Sequence, residues 1–259
     1  MDTGKRRILH VLPVAVPPHA WQGFAEQFPA GILDGDTEVE FTAPARGPAN
    51  MIDSDYERTI SDVAVLAAVE SVLAAAENAE RDFAAIVVNS MSDSGLLALR
   101  SRVAIPVVGA GQASLTLASC LGSRIGVVTM WRPWHALYSS AAAAAGISER
   151  LVSVRDIGIR PDAEELLGDR ETVYPRLLDA CSKAIQEDGA DVLILGSTTM
   201  HPAHQFLAEQ LDVPLINPGV AAQQLAQQLV RARLTHSRRA HPAPARPDSG
   251  LLAALTART

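Results

Sequence analysis

Residues 87–95 read VVNSMSDSG, and residues 193–202 read LILGSTTMHP. In each stretch an apolar run stops on a serine, Ser90 or Ser197, and small polar residues follow it. Short apolar runs without polar alternation are typical of parallel strands buried on both faces. Because the same pattern occurs twice, about a hundred residues apart, it indicates a duplicated strand-and-turn unit.

Similar apolar runs continue along the whole chain. They alternate with alanine-rich helical stretches such as residues 61–80 and 173–188. This alternation predicts an α/β fold with doubly wound, mainly parallel sheets. The predicted strands are residues 8–12, 39–43, 85–89, 106–110, 125–129, 152–157, 192–196 and 214–218.

The spacing of the repeat predicts two lobes. Pro106 follows Ser90 by sixteen residues, and Pro214 follows Ser197 by seventeen; each proline begins another short strand. We therefore expect two pseudo-symmetric doubly wound lobes with an interlobe active-site cleft. The expected boundaries are residues 1–116 plus 220–235 for the first lobe, 117–219 for the second and 236–259 for a tail.

Composition and charge restrict the class of protein. The 259 residues carry a formal charge of −7, which disfavours nucleic acid and anionic membranes as partners. No signal peptide is recognisable, and we expect no apolar stretch near the roughly 18 residues that span a bilayer. A cytoplasmic protein that forms a homo-oligomer is expected. Cys120 and Cys181 lie in apolar helical patterns that predict buried structural thiols, and the scattered histidines predict no metal site.

The two serine turns are the candidate ligand site. In open α/β sheets ligands bind beyond the carboxyl ends of the strands, where Ser90 and Ser197 are predicted to lie. Helix N–H groups that begin after such turns suit a carboxylate or an enolate oxygen. Either serine could instead serve only as a helix N-cap.

Neighbouring side chains could complete this site or only stabilise the fold. His201, four residues after Ser197, could be its general base or an exposed histidine at a helix start. Asp93 is expected to cap the helix that follows Ser90. One face of a predicted helix carries four aromatic or histidine side chains: Trp131, Trp134, His135 and Tyr138. They could form an aromatic wall over the site, or a stripe in the core or at a subunit interface.

Several longer motifs together resemble the aspartate/glutamate/hydantoin racemase superfamily, and most closely its hydantoin and allantoin racemase branch. The likeness runs from roughly residue 8 to residue 245. It implies two lobes around a cleft and cofactor-independent chemistry at a carbon next to a carbonyl. The motifs are the two serine turns, IPVVGAGQAS (105–114), VPLINPGVAAQQLAQQLV (213–230) and LTHSRRAHPAP (234–244).

Two features of the chain depart from that family. In that family two catalytic cysteines remove and return the α-proton, and their positions fall on Ser90 and Ser197 here. A hydroxyl is a much weaker acid than a thiol, so the two serines cannot simply replace them. The family's Asn-Pro-Asn-Thr loop is replaced by residues 12–15, LPVA, which is closer to the arylmalonate decarboxylase and maleate isomerase branches.

The resemblance therefore implies an isomerase-superfamily enzyme that acts on a small carboxylate or a cyclic amide through an enolate-like state, without a cofactor or a metal. The alternatives are an arylmalonate-decarboxylase-like lyase or cyclase acting on an aromatic acid, a silent ligand-binding homologue, and an engineered Cys-to-Ser double replacement. The expected catalytic residues are Ser90, Ser197 and His201. The expected substrate contacts are Pro13, Val14, Met91, Ser92, Thr129, Met130, Trp131, Thr198 and Thr199.

Overall fold

The computed structural model describes residues 5–48, 51–79, 81–160, 170–248, 250, 252 and 254. The chain divides into two compact units. The first is built from the chain up to Asn89, from Asp93–Gly109 and from the chain after Ala222. The second is built from Ser90–Ser92 and Ala110–Ala221. The Ser90 turn thus belongs to the second unit, although the strand before it belongs to the first.

The first unit contains a four-stranded parallel sheet in the order β2-β1-β3-β4. All four strands fall on predicted apolar runs. The strands are β1 (Arg6–Val11), β2 (Thr37–Thr42), β3 (Ala85–Val88) and β4 (Val107–Gly109), and the helices that follow β1, β2 and β3 are α1 (Trp21–Ala25), α2 (Asp55–Asn78) and α3 (Leu96–Arg102).

Helix α2 begins at a strong N-terminal signal. The Ser54 hydroxyl oxygen accepts a hydrogen bond from the Glu57 backbone N–H at 3.3 Å, and Asp55 and Glu57 place negative charge in the first turn. Val65 and Val69 pack into the core of the first unit with strands β1 and β3. By length and composition alone, α2 is apolar enough to cross a membrane, the one such helix among the described residues. The expectation that no stretch approaches that length is therefore wrong.

The second unit repeats the plan of the first. Its parallel strands have the order β6-β5-β7-β8, which is the order β2-β1-β3-β4 with each number raised by four. The predicted duplicated α/β fold is confirmed. The elements are α4 (Ala110–Leu121), β5 (Ile125–Thr129), α5 (His135–Ala144), β6 (Leu151–Asp156), α6 (Arg170–Gln186), β7 (Val192–Leu195), α7 (His201–Ala208), β8 (Leu215–Ile216) and α8 (Pro218–Arg231).

Strand β7 shows why its sequence has no polar alternation. Leu193 and Leu195 pack into one hydrophobic cluster, while Val192 and Ile194 pack into another. Successive side chains of a strand point to opposite faces of the sheet, so both faces of β7 are covered. The strand is thereby held firmly on both sides up to the turn that carries Ser197.

Candidate functional site

The Ser197 turn follows directly from the end of β7. The Gly196 N–H donates to the Val128 carbonyl oxygen at 2.8 Å and continues the sheet by one residue. Ser197 is then extended and caps a short 3-10 turn, Thr198–Met200. Its half-buried Oγ accepts the Thr199 N–H at 3.3 Å and lies 2.8 Å from the Thr199 hydroxyl oxygen. The N-capping role considered for Ser197 is confirmed.

The Ser90 turn has the same local geometry. Ser90 Oγ accepts the Ser92 N–H at 3.2 Å and lies 2.8 Å from Ser92 Oγ. Each turn therefore holds a pair of hydroxyls at positions i and i+2, joined by a hydrogen bond. Sequence reasoning singled out the first serines but missed this pairing. The available signal was the spacing Ser-x-Ser at residue 90 and Ser-x-Thr at residue 197.

Met91 anchors the Ser90 turn in the second unit. Its side chain is buried and packs in the same hydrophobic cluster as Ile194 and Tyr138. Ile194 lies on the strand that ends at the Ser197 turn. The two hydroxyl pairs therefore belong to one compact unit and share part of its core.

Buried polar contacts support the Ser197 turn from behind. The Tyr138 hydroxyl donates to the Gly196 carbonyl oxygen at 2.6 Å and lies 2.9 Å from Thr129 Oγ1. Burial raises the pKa of Tyr138, which keeps its hydroxyl protonated as a donor. A Cβ at Gly196 would lie 2.6 Å from Thr129 Cβ, so only glycine fits there. Thr129 and Tyr138 thus set the path of the chain into Ser197.

The aromatic residues after β5 are arranged differently from the expected helical face. Helix α5 begins at His135, and Trp131 precedes it in an extended conformation before a 3-10 turn. The single-helix interpretation is therefore wrong, because Pro133 in this segment favours a short tight turn before the helix. Tyr138 is buried in one hydrophobic cluster, against which the partly buried Trp134 packs. Trp131 packs against the other cluster of the second unit, which Trp134 also contacts.

The remaining site residues expected in the second unit follow the ends of β5 and β7, and their side chains are buried to different extents. Thr129 and Met130 are completely buried, so their side chains support the end of β5. Thr198 is buried, whereas Thr199 is half-buried. His201 is half-buried and is the first residue of α7.

In the first unit, Pro13 and Val14 follow β1. The Pro13 carbonyl oxygen accepts the Ser61 hydroxyl at 2.6 Å, and the Val14 side chain is buried. Asp93 does not cap the next helix: α3 starts after Gly95, and no side chain caps it. The φ angle is positive at both Asp93 (51°) and Gly95 (71°). This left-handed turn lies between Asp93 and the start of α3, where a capping residue would have to be.

Neither cysteine lies in a serine turn. Cys181 of α6 is buried as expected, and burial raises the pKa of its thiol to about 12. Cys120 of α4 is exposed, so the expectation of burial is wrong for it. It lies near the helix end, on the face turned away from the core residues Leu115 and Ala118. Within the described ranges, no three His, Cys, Asp or Glu side chains gather as metal ligands do.

Comparisons with known proteins agree with the resemblance noted in the sequence. Residues 19–226 match the Asp/Glu/hydantoin racemase family. The hydantoin racemase of Paenarthrobacter aurescens is 29% identical over 198 residues, 75% of this chain and 79% of that protein. The crystal structure of an allantoin racemase from Pseudomonas fluorescens has a TM-score of 0.83 at 26% identity, and covers 93% of this chain and 98% of that one. Arylmalonate decarboxylase shares the fold, with a TM-score of 0.57 at 17% identity over 94% of this chain and 96% of its own.

Proposed function

Because the chain belongs to the Asp/Glu/hydantoin racemase family, we propose that it acts, without a cofactor, at the carbon next to a carbonyl group. The substrate we propose is a small carboxylate or a hydantoin-like cyclic amide. The two hydrogen-bonded hydroxyl pairs in one unit are the observation that carries this proposal. An enolate-like intermediate carries its negative charge on oxygen, and fixed hydroxyl and N–H donors stabilise such a charge.

The Ser197 pair has a hydrogen to offer to such an oxygen. Ser197 and Thr199 carry two hydroxyl hydrogens, and the hydrogen bond between them uses one. The other can be donated to a ligand. Ser90 and Ser92 form a second hydroxyl pair with the same 2.8 Å separation, and we propose that this pair also contacts the substrate.

Racemisation by two thiols is impossible with the cysteines of this chain. It has two cysteines, one exposed on α4 and one on α6 that is buried in the core. A serine hydroxyl requires a neighbouring base before it can transfer a proton. We assign that role to His201 at the start of α7, four residues after Ser197. In this scheme the base takes the α-proton, the C–H electrons move toward the carbonyl oxygen, and a proton returns to the carbon.

A decarboxylase-like reaction is the second candidate, and the absence of both thiols favours it. Loss of carbon dioxide breaks a carbon–carbon bond and leaves the electron pair as an enolate. Only one proton then has to reach the carbon, so a single acid is sufficient. The sequence LPVA at residues 12–15 also favours this candidate, because it resembles the corresponding loop of the arylmalonate decarboxylase branch more than that of the racemases.

The setting we propose is that of a cytoplasmic homo-oligomer acting on small molecules. The formal charge of −7 supports a small molecule as the partner, because it disfavours binding to the phosphate backbone of nucleic acids and to anionic membrane surfaces.

The reaction can be tested by NMR in D₂O with a panel of hydantoins, amino acids, arylacetates and arylmalonates. We expect α-deuteration of one class, or release of carbon dioxide from the malonates. Ser197→Ala should lower the rate by about 10²-fold, the usual effect of losing one oxyanion donor. Ser140→Ala, which removes an exposed hydroxyl on α5, is the matched control and should leave the rate unchanged.

Cysteine restoration separates the two candidates. If only the thiols are missing, Ser90→Cys with Ser197→Cys should produce racemisation of a hydantoin or an amino acid. Continued inactivity of this variant, with decarboxylation by the parent chain, would favour the lyase. Tight binding of a panel member without exchange or turnover in any variant would contradict an enzymatic role and leave a binding protein.

A further inference from the structure

The second unit contains a cavity that is separate from the serine turns. It has a volume of about 380 Å³ and lies beside β6, the edge strand of that sheet. No residue of either serine turn lines it. The charged residues and the histidine around it that matter here are Arg132, His135, Arg155, Asp156, Arg176 and Lys183.

Two of the four cationic side chains are already neutralised by neighbouring carboxylates. Arg155 donates to Asp188 Oδ2 at 2.6 Å and to Glu187 Oε2 at 2.7 Å. Lys183 donates to Asp179 Oδ2 at 2.7 Å, one helical turn away on α6. These groups form the charged rim of the cavity and leave little positive charge for a ligand.

The other two cations are not neutralised in this way. Arg176 donates one N–H to the Ile157 carbonyl oxygen at 2.6 Å, which keeps the guanidinium at the cavity without cancelling its charge. Arg132 is exposed in the 3-10 turn before α5. Across the described ranges, neither arginine forms an ion pair with a carboxylate. A guanidinium has paired N–H donors that match the oxygens of carboxylates and phosphates.

Two carboxylates, Asp156 and Asp179, also line the cavity. Asp179 is paired with Lys183, and both oxygens of Asp156 have polar neighbours. Oδ2 lies 2.9 Å from His135 Nε2, and Oδ1 accepts the Gly158 N–H at 2.9 Å. His135 thus lies at the cavity beside Asp156. The lining as a whole carries four cationic side chains against two carboxylates, so its balance of charge still favours an anion.

We propose that this cavity binds a small dianion with terminal oxygens, a phosphate or a dicarboxylate, through Arg132 and Arg176 with His135 as a further polar contact. The proposal is independent of the reaction at the serine turns. A volume of about 380 Å³ is sufficient for a molecule of a few heavy atoms, within the range of small-ligand pockets.

Isothermal titration calorimetry of the full chain tests the site, with inorganic phosphate and succinate as separate probes at constant ionic strength. We expect one saturable site per chain for at least one probe. Arg132→Gln should weaken that binding by about tenfold or more, the effect of one charge-assisted hydrogen bond. The Arg132 side chain has no hydrogen bond or ion pair to another described residue, so its replacement should leave the fold intact. Arg176→Gln should weaken binding to a similar extent.

Two controls locate the bound probe. Arg239→Gln removes the same charge from an exposed position of the first unit and should bind as the parent does. Ser197→Ala should also bind normally, because the serine turns do not line the cavity. Saturation by phosphate alone or by succinate alone identifies the source of the dianion. No saturable binding of either probe, equal binding by Arg132→Gln and the parent, or loss of binding in Ser197→Ala would overturn the proposal.

Discussion

At the scale of single residues, the site depends on small groups held in place by larger ones. The Ser197 hydroxyl lies at its position because Gly196, without a side chain, lets β7 pass against Thr129 and Tyr138. The Tyr138 hydroxyl holds the Gly196 carbonyl oxygen, and burial keeps that hydroxyl protonated. The position of the Ser197 hydroxyl is therefore set by residues that are themselves buried.

Replacing Gly196 with alanine should destabilise the fold. The new Cβ would lie 2.6 Å from Thr129 Cβ and 2.7 Å from the Tyr138 hydroxyl oxygen, which is closer than packed atoms approach. We expect a loss of about 1–3 kcal/mol in the free energy of unfolding, as overpacked cores show. Urea unfolding measures it. Gly35→Ala, with no atom within 4 Å of the new Cβ, should change stability by a few tenths of a kcal/mol.

The two thiols should differ sharply in reactivity. Cys120 is exposed, whereas burial raises the pKa of Cys181 to about 12 and removes its thiolate at neutral pH. Iodoacetamide should therefore label one site in the folded protein and two in urea, as counted by mass spectrometry. Cys120→Ser should leave the folded protein unlabelled. Rapid labelling of Cys181 in the folded variant would contradict the described core.

At the scale of elements, strand β1 and helix α8 share a buried polar contact. His10 of β1 has no exposed surface, and its Nε2 lies 2.8 Å from Gln223 Oε1 of α8. The rings of Phe28 and Phe41 surround the imidazole at centroid distances of 5.3 and 5.2 Å. Desolvation lowers the pKa of His10 to about 4, and the hydrogen bond that its Nε2–H donates to Gln223 Oε1 opposes this shift only in part. The histidine is therefore neutral in the folded protein at neutral pH.

This shift predicts a loss of stability in mild acid. Between about pH 6.5 and pH 4, His10 is protonated in the unfolded chain but not in the folded chain. The free energy of unfolding therefore falls as the pH falls. Integrated over that window the shift corresponds to about 3 kcal/mol. Urea midpoints at pH 7.5, 6 and 5 measure it. His10→Leu should flatten this part of the profile, whereas exposed His19→Gln should leave it unchanged. Equal slopes in His10→Leu and the parent would contradict the assignment.

At the scale of the whole molecule, the duplication could be predicted from the sequence because both copies obey the same local rules. Apolar runs without alternation predicted all eight strands, and the recurring proline strand predicted the duplication that the equivalent orders of the two sheets display. The motif resemblance to the racemase family was likewise carried by residues close together in the chain, and the family match over residues 19–226 confirms it. These features depend on periodicity and local spacing, which the linear sequence contains.

Other features depended on contacts between distant residues. The exposure of Cys120, the start of α5 at His135 instead of Trp131, and the positive φ of Asp93 were not predictable from periodicity. Each of these three features depends on where a helix begins or on which of its faces packs against a neighbouring element. The i, i+2 pairing of hydroxyls is an intermediate case: its residues are adjacent, but its geometry appears only once the strand ends have been placed.

The sequence by itself therefore determined the α/β duplication, the family and the positions of the two serines, since strand burial and motif spacing are local properties. Only the tertiary structure decided that the Ser90 turn joins the second unit through Met91, and that Tyr138 holds Gly196. It also decided that Arg132, His135, Asp156 and Arg176 gather around one cavity. Met91 and Gly196 are about a hundred residues apart, and Arg132 and Arg176 are about forty apart. Only close packing of their strands and helices brings such residues together.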